Sequence, residues 1–352
     1  MILSSIARRL PILWYRRRLA IALLPLLPVS WLFRMIVWLR NRLYRYGVLR
    51  WYQLPVPVIV IGNLTVGGSG KTPLVLWLVE SLRAQGWQPG VISRGYGGVA
   101  DGVHPVLLDS ASSFVGDEPL LLARRSGVPV FIGRDRVAAA QALRAAHPEC
   151  NVIISDDGLQ HYRLQRSVEI AVFDGRGAGN GQLLPAGPLR ESLQRLSTAT
   201  AVVWNVVPET PDKTQRAIIE ATLPQFEMRL SGQYFVSLSD AQRCCLASDL
   251  RGKRLYAMAG IGNPSRFFAQ LEAMGLEFEA HPFPDHHIYG AADLAFALDG
   301  VLLMTEKDAV KCAALTTHEA WVLPVTARID RAPGGKSLLD TILEKLDGRT
   351  PA

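Results

Sequence analysis

The stretch Thr65–Pro73, TVGGSGKTP, decides the fold. It follows Val56–Ile61 (VPVIVI), a short apolar, β-branched run that predicts a buried strand. It precedes Leu74–Leu82, which predicts an apolar helix. A strand, a glycine-rich turn and a helix in this order are what a phosphate-binding P-loop requires. The sequence therefore predicts an α/β protein of the P-loop NTPase type, with a mainly parallel sheet and helices on both faces.

The turn supplies the groups that hold a triphosphate. Its glycines let consecutive backbone N–H groups point inward, and the following helix adds the partial positive charge of its N-terminus. Lys71 is expected to reach the β- and γ-phosphates, and the hydroxyl of Thr72 to bind Mg²⁺. Thr65 replaces the first glycine of G-x-x-x-x-G-K-[ST], but Gly67 and Gly68 supply flexibility nearby. The predicted cofactors are ATP and Mg²⁺, and the predicted nucleotide-binding residues are Thr65, Val66, Gly67, Gly68, Ser69, Gly70, Lys71 and Thr72.

A second apolar run, Asn151–Ser155, predicts another strand, which ends at Asp156 and Asp157. A buried strand ending in a carboxylate beside the phosphate loop is the arrangement that holds Mg²⁺ in P-loop enzymes. Apolar strands also end at aspartate in ordinary turns, so this interpretation depends on the loop upstream. We predict that a carboxylate of this pair holds Mg²⁺ together with the Thr72 hydroxyl, with Asp157 as the candidate ligand. The choice between the two aspartates stays open at this point.

Two roles fit Asp117, which precedes a predicted amphipathic helix, Leu120–Arg125. Aspartate at this position commonly caps the helix N-terminus. It can instead act as general base toward an attacking hydroxyl, because phosphoryl transfer needs positioning and charge neutralisation more than covalent chemistry. Asp285 and His286 are adjacent in a predicted loop, where a carboxylate can orient an imidazole and raise its basicity. Such neighbours also occur by chance.

Four polar residues are candidates for binding a second substrate: Arg136, His161, Arg190 and Glu191. Arg136 follows the predicted strand Val128–Ile132, at the strand edge where ligands of α/β sheets bind, or it is a solvated charge at a helix start. His161 lies in the loop after the paired aspartates. The last two residues end the rigid loop Leu183–Glu191, whose proline and glycine content does not need a catalytic explanation.

The distribution of charge predicts contact between the N-terminal segment and a membrane. Of 38 basic residues, eleven lie before Glu80, where the chain has no acidic residue, so the 27 that remain are outnumbered by 31 acidic ones. A basic surplus confined to one segment favours an anionic membrane surface over a nucleic-acid groove. We therefore expect no nucleic-acid partner.

The apolar run Leu19–Phe33 has fifteen residues, fewer than the ~20 that span a bilayer. Pro25 and Pro28 predict a turn between two helices within it. An interfacial anchor, a single span in which Arg34 extends to the surface, and helices that cap the domain all fit this segment. A cleavable signal peptide fits less well, because no small-x-small site follows. We expect the anchor.

The alternation of strands and helices restarts after Val203–Asn205. Predicted strands at Leu255–Ala259 and Val301–Met304, with a helix at Ser265–Met274 between them, indicate a second, smaller α/β lobe. A cleft between lobes is where a second substrate binds. We predict membrane-associated helices at 1–52, a P-loop kinase core at 53–207, and a smaller lobe that closes the cleft at 208–352.

Eight short motifs occur in one order along the chain, and together they carry a family resemblance. They are Thr65–Pro73 (TVGGSGKTP), Ser93–Gly98 (SRGYGG), Gly116–Pro119 (GDEP), Ser155–His161 (SDDGLQH), Leu184–Glu191 (LPAGPLRE), Gly260–Pro264 (GIGNP), Phe283–His286 (FPDH) and Thr305–Val310 (TEKDAV). This set resembles the tetraacyldisaccharide 4'-kinases, the lipid A 4'-kinases of Gram-negative bacteria. The resemblance runs from the N-terminal segment to residue 328, and threonine at the first P-loop position is typical of that family.

The resemblance implies transfer of the ATP γ-phosphate to the 4'-hydroxyl of a tetraacylated glucosamine disaccharide 1-phosphate, giving lipid IVA, at the cytoplasmic face of the bacterial inner membrane. It implies that Asp117 paired with His286 activates the sugar hydroxyl. Asp156 and Asp157 would act at the metal and the transferred group, and Lys71 at the phosphates. The residues that would line the acceptor site are Arg136, His161, Arg190 and Glu191.

Two other classes stay open as alternatives: a P-loop kinase of another lipid or sugar, and a membrane-bound ATPase switch. The switch class has a lysine just before its Gly-Gly pair, where this chain has Val66. A GTPase needs an N-K-x-D motif, which Thr305–Asp308 (TEKD) does not supply. The oligomeric state stays open.

Overall fold

The computed structural model describes residues 10–16, 19–206, 223–316, 318–331 and 335–346. Fifteen strands in this part of the chain form two sheets. The larger sheet contains β1 (Val58–Gly62), β2 (Pro89–Ser93), β3 (Val103–Pro105), β4 (Val130–Gly133), β5 (Val152–Asp156), β6 (Val168–Asp174), β7 (Ala201–Asn205), β8 (Gln225–Ser231) and β15 (Thr326–Ile329). The smaller sheet contains β9 (Phe235–Ser237), β10 (Cys244–Cys245), β11 (Leu255–Ala259), β12 (Glu279–Pro282), β13 (Val301–Thr305) and β14 (Ala320–Leu323).

The helices connect and cover these sheets. The α-helices whose two ends both lie in the described residues are α1 (Leu27–Arg45), α2 (Lys71–Ala84), α3 (Ser112–Val115), α4 (Asp117–Ser126), α5 (Arg136–Ala146), α6 (Ala247–Leu250), α7 (Pro264–Ala273), α8 (Glu306–Cys312) and α9 (Leu338–Leu346). Residues 10–14 are also α-helical. Shorter 3₁₀ helices lie at Ile21–Leu26, Leu193–Thr198 and Ala291–Ala297.

The larger sheet has the order β15-β8-β7-β6-β1-β5-β2-β4-β3 and is parallel except at its two edge strands, β3 and β15. Both faces of β1 are buried, as expected for a central parallel strand. Ile59 and Ile61 pack with α2, α4 and α9 on one face, while Val58 and Val60 pack with α5 on the other. This confirms the predicted sheet with helices on both faces.

The smaller sheet has the order β10-β9-β14-β13-β11-β12. Its four strands β11–β14 are parallel, and the two-stranded edge of β9 and β10 is antiparallel. The structure thus contains the predicted second α/β lobe.

The predicted domain boundary between residues 207 and 208 does not coincide with the separation of the strands into two sheets. Strand β8 pairs in parallel with β7, so that Asn205 lies beside Met228, and β15 then pairs with β8. Helix α9 also returns to the core of the larger lobe through Leu338 and Ile342. The alternation of strands and helices that restarts after residue 205 therefore does not mark the start of a separate lobe, because β7 and β8, before and after it, pair in one sheet. Segment 208–352 contributes to both lobes.

Residues 21–45 form one continuous helical stretch, and the predicted turn at Pro25 and Pro28 is wrong. The 3₁₀ helix Ile21–Leu26 leads directly into α1, because Pro28 lies in the first turn of α1, where a missing N–H costs no hydrogen bond. The stretch Ile21–Arg45 is long and apolar enough to cross a membrane, by length and composition. Ser30 ties α1 to the core, since its hydroxyl donates to the Leu183 carbonyl oxygen at 2.7 Å.

Candidate active site

The glycine-rich loop connects β1 to α2 at the carboxyl edge of the parallel sheet. Gly67 and Gly70 have φ values of 101° and 85°, in the left-handed region that favours glycine. A Cβ atom at Gly70 would lie 2.1 Å from the Asn205 side-chain amide, so this position also requires glycine sterically. Gly67 and Gly70 of the predicted loop therefore lie where the backbone favours glycine.

Side chains outside the loop bind its carbonyl groups. The Asn63 side chain donates to the Gly67 carbonyl oxygen at 3.0 Å, and the Asn205 side chain donates to the Ser69 carbonyl oxygen at 3.0 Å. Arg176 donates to the Gly68 carbonyl oxygen at 3.3 Å. Side chains outside the loop therefore engage the carbonyl oxygens of three successive P-loop residues, Gly67, Gly68 and Ser69.

The start of the loop is paired with another segment. Thr65 forms an antiparallel bridge with Leu189, and the Val66 N–H donates to the Pro188 carbonyl oxygen at 2.9 Å. The Val66 N–H, which the sequence assigned to nucleotide binding, is therefore occupied by the loop that leads to Arg190. Any backbone N–H groups that bind a phosphate would then belong to the residues after Val66.

Asp157 lies directly against the P-loop lysine. It follows β5 with a positive φ of 47°, a strained conformation for a non-glycine residue of the kind that occurs at functional sites. Its carboxylate is 3.4 Å from Lys71 Nζ and 3.3 Å from Arg190 Nη1. Burial opposes ionisation, but Lys71 and Arg190 hold the pKa of Asp157 below its usual value. The structure thus brings together three predicted site residues.

Asp156 is buried beneath this cluster. Ser93 Oγ donates to its Oδ2 at 3.1 Å, whereas Oδ1 is buried with no hydrogen-bond partner among the described residues. Burial, together with the negative charge of Glu118, raises the pKa of Asp156 to about 7. A buried carboxylate is costly to ionise without a paired positive charge, so a cation bound beside Asp156 would stabilise its ionised form.

These groups fit a divalent cation that is completed by a nucleotide. Among the described residues, no three His, Cys, Asp or Glu side chains converge as a metal site. Mg²⁺ usually needs only one or two carboxylates, with substrate phosphates and waters as the other ligands. Asp156 Oδ1 and Ser69 Oγ are both buried with no hydrogen-bond partner in the described part of the chain, and they therefore fit Mg²⁺ bound with a triphosphate.

The predicted acid–imidazole pair is assembled between the two lobes. His286 Nδ1 is 3.2 Å from Asp117 Oδ2, although the two residues are 169 positions apart in the chain. Gly116, not Asp117, occupies the N-cap of α4, so the capping alternative for Asp117 is wrong. His286 has a positive φ of 59°, and the ring of Tyr96 meets its imidazole edge-on at a centroid distance of 4.9 Å. The second lobe thus carries its histidine to the helix that begins with Asp117.

The protonation states of this pair depend on one another. The hydrogen bond to Asp117 raises the pKa of His286 above its usual value. Burial opposes the charge of Asp117, but the hydrogen bond from His286 and the charges of Lys307 and Lys311 hold its pKa below the usual range. The result is an ionised carboxylate that is largely shielded from water.

Arg136 and Glu191 lie deeper than the sequence predicted. The Arg136 side chain donates to the carbonyl oxygens of Gly133 (2.8 Å) and Asp156 (3.1 Å), and the residue is only 3% exposed. Arg136 thereby supports the loop that carries the paired aspartates. Glu191 is 2% exposed and accepts hydrogen bonds from the Tyr162 hydroxyl at 2.7 and 2.9 Å.

His161 is held in a neutral state. Burial and the nearby charge of Arg136 lower its pKa to about 4. Its Nε2 is buried without a hydrogen-bond partner among the described residues. Its carbonyl oxygen accepts a 2.5 Å hydrogen bond from Arg166. An uncharged imidazole can accept or donate one hydrogen bond at a site but cannot balance a phosphate charge.

Three site residues were missed from the sequence. Asn205 ends β7 and binds the Ser69 carbonyl oxygen of the P-loop. Lys307 lies in the first turn of α8 and contacts His286. Glu118 follows Asp117, and its carboxylate accepts a hydrogen bond from Lys307 at 3.0 Å. Asn205 ends a strand, Lys307 lies two residues after one, and Glu118 follows Asp117, which was the available signal. Their partners are distant in sequence, so no spacing rule could pair them.

The smaller lobe contacts the phosphate loop itself. The space beside Gly262 is so narrow that a Cβ there would lie 3.1 Å from the Gly68 nitrogen. Arg266 of α7 donates to Asn205 Oδ1 at 2.6 Å, and Asn205 in turn holds Ser69. The two lobes therefore contact each other at the glycine-rich loop.

A groove of about 1040 Å³ separates α1 from the larger lobe. Aromatic and basic side chains line it, together with Glu191. The lining includes Trp31, Arg34, Met35, Trp38, Arg42, Arg45, Tyr162 and Arg195. A second link joins α1 to the site, since Arg40 donates to the Gln160 carbonyl oxygen at 3.1 Å.

A phosphate loop at the carboxyl edge of a parallel sheet, two carboxylates beside its lysine, and an acid–imidazole pair across the cleft define an ATP-dependent phosphotransferase. The remaining question is which acceptor this class of enzyme would use.

Comparison with known proteins identifies the family. A family model described as tetraacyldisaccharide-1-P 4'-kinase matches residues 22–344. Tetraacyldisaccharide 4'-kinase of Dechloromonas aromatica (strain RCB) is 55% identical over 349 residues, covering 99% of this chain and 100% of the relative. The enzyme of the same name from Azoarcus sp. (strain BH72) is 54% identical, over 96% of each chain. The chain belongs to the tetraacyldisaccharide 4'-kinase family, as the motifs predicted, and is a kinase.

A solved structure supports the same fold. LpxK from Aquifex aeolicus in complex with ATP is 30% identical to this chain, with a TM-score of 0.75. The alignment covers 94% of this chain and 99% of that one. The predicted P-loop α/β fold is confirmed over nearly the whole chain.

Proposed function

We propose that this kinase transfers the γ-phosphate of ATP to the 4'-hydroxyl of a tetraacylated glucosamine disaccharide 1-phosphate and so forms lipid IVA, a step of lipid A biosynthesis. The observation that carries the proposal is the Asp117–His286 pair, with Nδ1 and Oδ2 3.2 Å apart, in a chain whose relatives bear the name of this kinase. The pair provides a general base for a hydroxyl, which the phosphate loop alone does not.

The nucleotide would bind in the loop before α2. The N–H groups of Gly67–Thr72 and the positive end of α2 would face the phosphates, and Lys71 would reach the β- and γ-phosphates. In the structure Lys71 is paired with Asp157, so ATP would take over part of that contact. The complex of the Aquifex aeolicus protein with ATP supports this position for a nucleotide.

Mg²⁺ would be held by the hydroxyl of Thr72 and the carboxylates that end β5. When bound, the ion neutralises charge on the phosphates as the γ-phosphoryl group leaves ADP. The sequence favoured Asp157 as the carboxylate ligand. Asp156 Oδ1, which has no hydrogen-bond partner among the described residues, favours Asp156 as a second ligand or as the ligand in place of Asp157. Asp157, with Lys71 and Arg190, would position the transferred group.

In the chemical step, an ionised Asp117 accepts the proton of the 4'-hydroxyl. The hydroxyl oxygen forms a bond to the γ-phosphorus, the bond from that phosphorus to the β–γ bridging oxygen breaks, and ADP leaves. The His286 Nδ1–H group donates to Asp117 and fixes the carboxylate's orientation. A positioned base of this kind contributes roughly 10²–10⁴-fold to the rate.

The acceptor would reach the cleft from a membrane surface. Helix α1 exposes apolar side chains, among them Trp31, Leu32, Met35, Ile36 and Leu39. Four acyl chains would stay in lipid while the sugar head reaches the site, and the basic groove beside α1 would favour the anionic 1-phosphate. The Arg40–Gln160 contact keeps this surface next to the loop of the paired aspartates. We place the enzyme at the cytoplasmic face of the inner membrane on these grounds.

The test is an acceptor comparison with the full-length protein in detergent micelles. We expect Mg²⁺-dependent transfer of label from [γ-³²P]ATP to the tetraacyl disaccharide 1-phosphate, with the new phosphate at position 4' by mass spectrometry and NMR. The matched control is the same disaccharide without its acyl chains, which should be a poor acceptor. Equal transfer to the deacylated sugar would favour a soluble-sugar kinase, and ATP hydrolysis without transfer to either would favour an ATPase switch.

A further inference from the structure

Lys307 is the cation at the centre of the acid–imidazole cluster. It lies in the first turn of α8, and its side chain is only 13% exposed. Its Nζ is 2.9 Å from Asp285 Oδ1 and 3.0 Å from Glu118 Oε1. The same atom is 3.4 Å from His286 Nε2 and 3.8 Å from Asp117 Oδ2. Lys307 thus contacts both lobes and both members of the catalytic pair.

The contact with Nε2 determines where the imidazole can carry its proton. A lysine ammonium group has three N–H donors and no acceptor. When Lys307 donates to Nε2 of His286, that nitrogen must be the unprotonated one, so the ring proton sits on Nδ1. Nδ1 is the nitrogen that faces Asp117, so the tautomer set by Lys307 is the one that donates to the carboxylate.

We propose that Lys307 is a positioning residue that holds the Asp117–His286 pair in one state, with the histidine proton on Nδ1 and the aspartate ionised. This inference rests on the proposed function, because it assigns the role of base to Asp117. Lys307 itself does not touch the acceptor in this account; it acts through the pair.

The charges around the pair agree with this role. Burial opposes the charge of Lys307, but Glu118, Asp117 and Asp285 together raise its pKa above the usual value, so the lysine stays protonated. Its charge also acts against a second proton on His286. The titratable groups that face the pair are Asp285 from the histidine's own loop, Tyr96 from the loop after β2, Glu118 from α4, and Lys307 and Lys311 from α8.

The experiment compares Lys307→Met and Lys307→Arg with wild type across pH, using kcat for lipid phosphorylation. Met removes the charge but keeps the length of the side chain; Arg keeps the charge. We expect Lys307→Met to lower kcat by up to about 10²-fold at neutral pH, with the KM for ATP unchanged. The acid limb of the pH–kcat profile of Lys307→Met should move to higher pH by about 1–3 units, because the Asp117 carboxylate is harder to ionise once it loses a neighbouring cation. Lys307→Arg should restore the wild-type limb.

The matched control is Lys253→Met, which removes a surface lysine of the same lobe whose ion-pair partner is Glu319 at 3.1 Å. It should behave as wild type. A merely structural role for Lys307 predicts a lower melting temperature and a lower yield of active enzyme with an unmoved acid limb, and that result would overturn the proposal. So would a Lys307→Met enzyme with wild-type kcat.

A readout without turnover separates this inference from the proposed function. In ¹⁵N-histidine-labelled enzyme, the His286 signal, assigned by its loss in His286→Gln, should report protonated Nδ1 and unprotonated Nε2 in wild type. Lys307→Met should shift the proton toward Nε2 or add a second proton at neutral pH. An unchanged spectrum in Lys307→Met contradicts the inference alone, whereas a wild-type enzyme with this tautomer and no lipid phosphorylation contradicts the proposed function alone.

Discussion

Replacement of Asp117 by asparagine tests the assignment of the base. Asparagine keeps the size of the side chain and can still contact His286, but it cannot take a proton from a hydroxyl. We expect kcat to fall by roughly 10²–10⁴-fold, which at 1.36 kcal/mol per tenfold raises the barrier by about 3–5 kcal/mol. The ion pairs and hydrogen bonds of Asp117 among the described residues go to His286, Glu118, Lys307 and Lys311, not to the phosphate loop. ATP affinity should therefore stay near that of wild type.

The same substitution has a predictable effect on stability. The side chain of Asp117 is 5% exposed, so its loss removes a buried negative charge that faces two lysines and a histidine. Glu118 and Asp285 remain to balance Lys307, which limits the cost to about 1–3 kcal/mol.

The assay is kcat and KM for both substrates at neutral pH, with ATP binding by calorimetry and unfolding by differential scanning calorimetry. Asp109→Asn, at an exposed aspartate of the same lobe, is the control for removing one negative charge. A folded Asp117→Asn enzyme with wild-type kcat would refute the reasoning.

Other perturbations test the remaining parts of the site. Lys71→Met should reduce kcat by at least about 10²–10³-fold and weaken ATP binding, as seen by calorimetry, because it removes the cation of the phosphate loop; unchanged ATP affinity would argue against the loop assignment. Mg²⁺ binding to the ATP complex should weaken as pH falls through about 7, because protonation of Asp156 removes a ligand charge. Protonation of the ATP γ-phosphate also weakens Mg²⁺ binding as pH falls, so the test compares wild type with Asp156→Asn, whose pH dependence should be smaller; equal pH dependence in the two proteins would exclude Asp156 as ligand. Leu32→Asp with Ile36→Asp should release the protein from anionic vesicles in flotation assays, since each aspartate costs about 2.5–3.5 kcal/mol at the centre of an inserted helix; Leu298→Asp, exposed on the smaller lobe, is the control, and vesicle retention of the double variant would contradict an anchor in α1.

The phosphate loop and its surroundings could be predicted from local sequence. A strand, a turn and a helix follow one another within residues 58–84, and each is specified by hydrophobic pattern, glycine conformation or helix-start chemistry. Asp156 and Asp157 were predictable for the same reason, because a parallel strand beside β1 must end at the same edge of the sheet.

The rest of the site depends on tertiary structure that local pattern does not encode. Asp117 and His286 are recognisable separately, but their contact depends on how the smaller lobe packs against α4, so only the family resemblance paired them. Arg136 has the sequence of an exposed helix start, yet its side chain turns beneath the Asp156 loop, since the carbonyl oxygens of that loop and of Gly133 need a donor there.

The course of the chain between the lobes was also beyond sequence reasoning. Segment 208–352 begins with a pattern that suits a new domain, but β8 and β15 complete the edge of the larger sheet. Strand β8 pairs with the open side of β7, and the four-residue β15 then pairs with β8, so the placement of both strands follows from the assembled sheet.

The central claim is that the loop of Gly67–Thr72 binds a nucleotide triphosphate with Mg²⁺. Isothermal titration of the full-length protein with ATP and Mg²⁺ tests it most directly, with Lys71→Met as the paired variant. We predict one-site binding by wild type in the range of about 1 μM–1 mM, as for typical enzyme substrates, and much weaker binding by the variant. Wild-type protein with no measurable affinity for ATP would contradict the account.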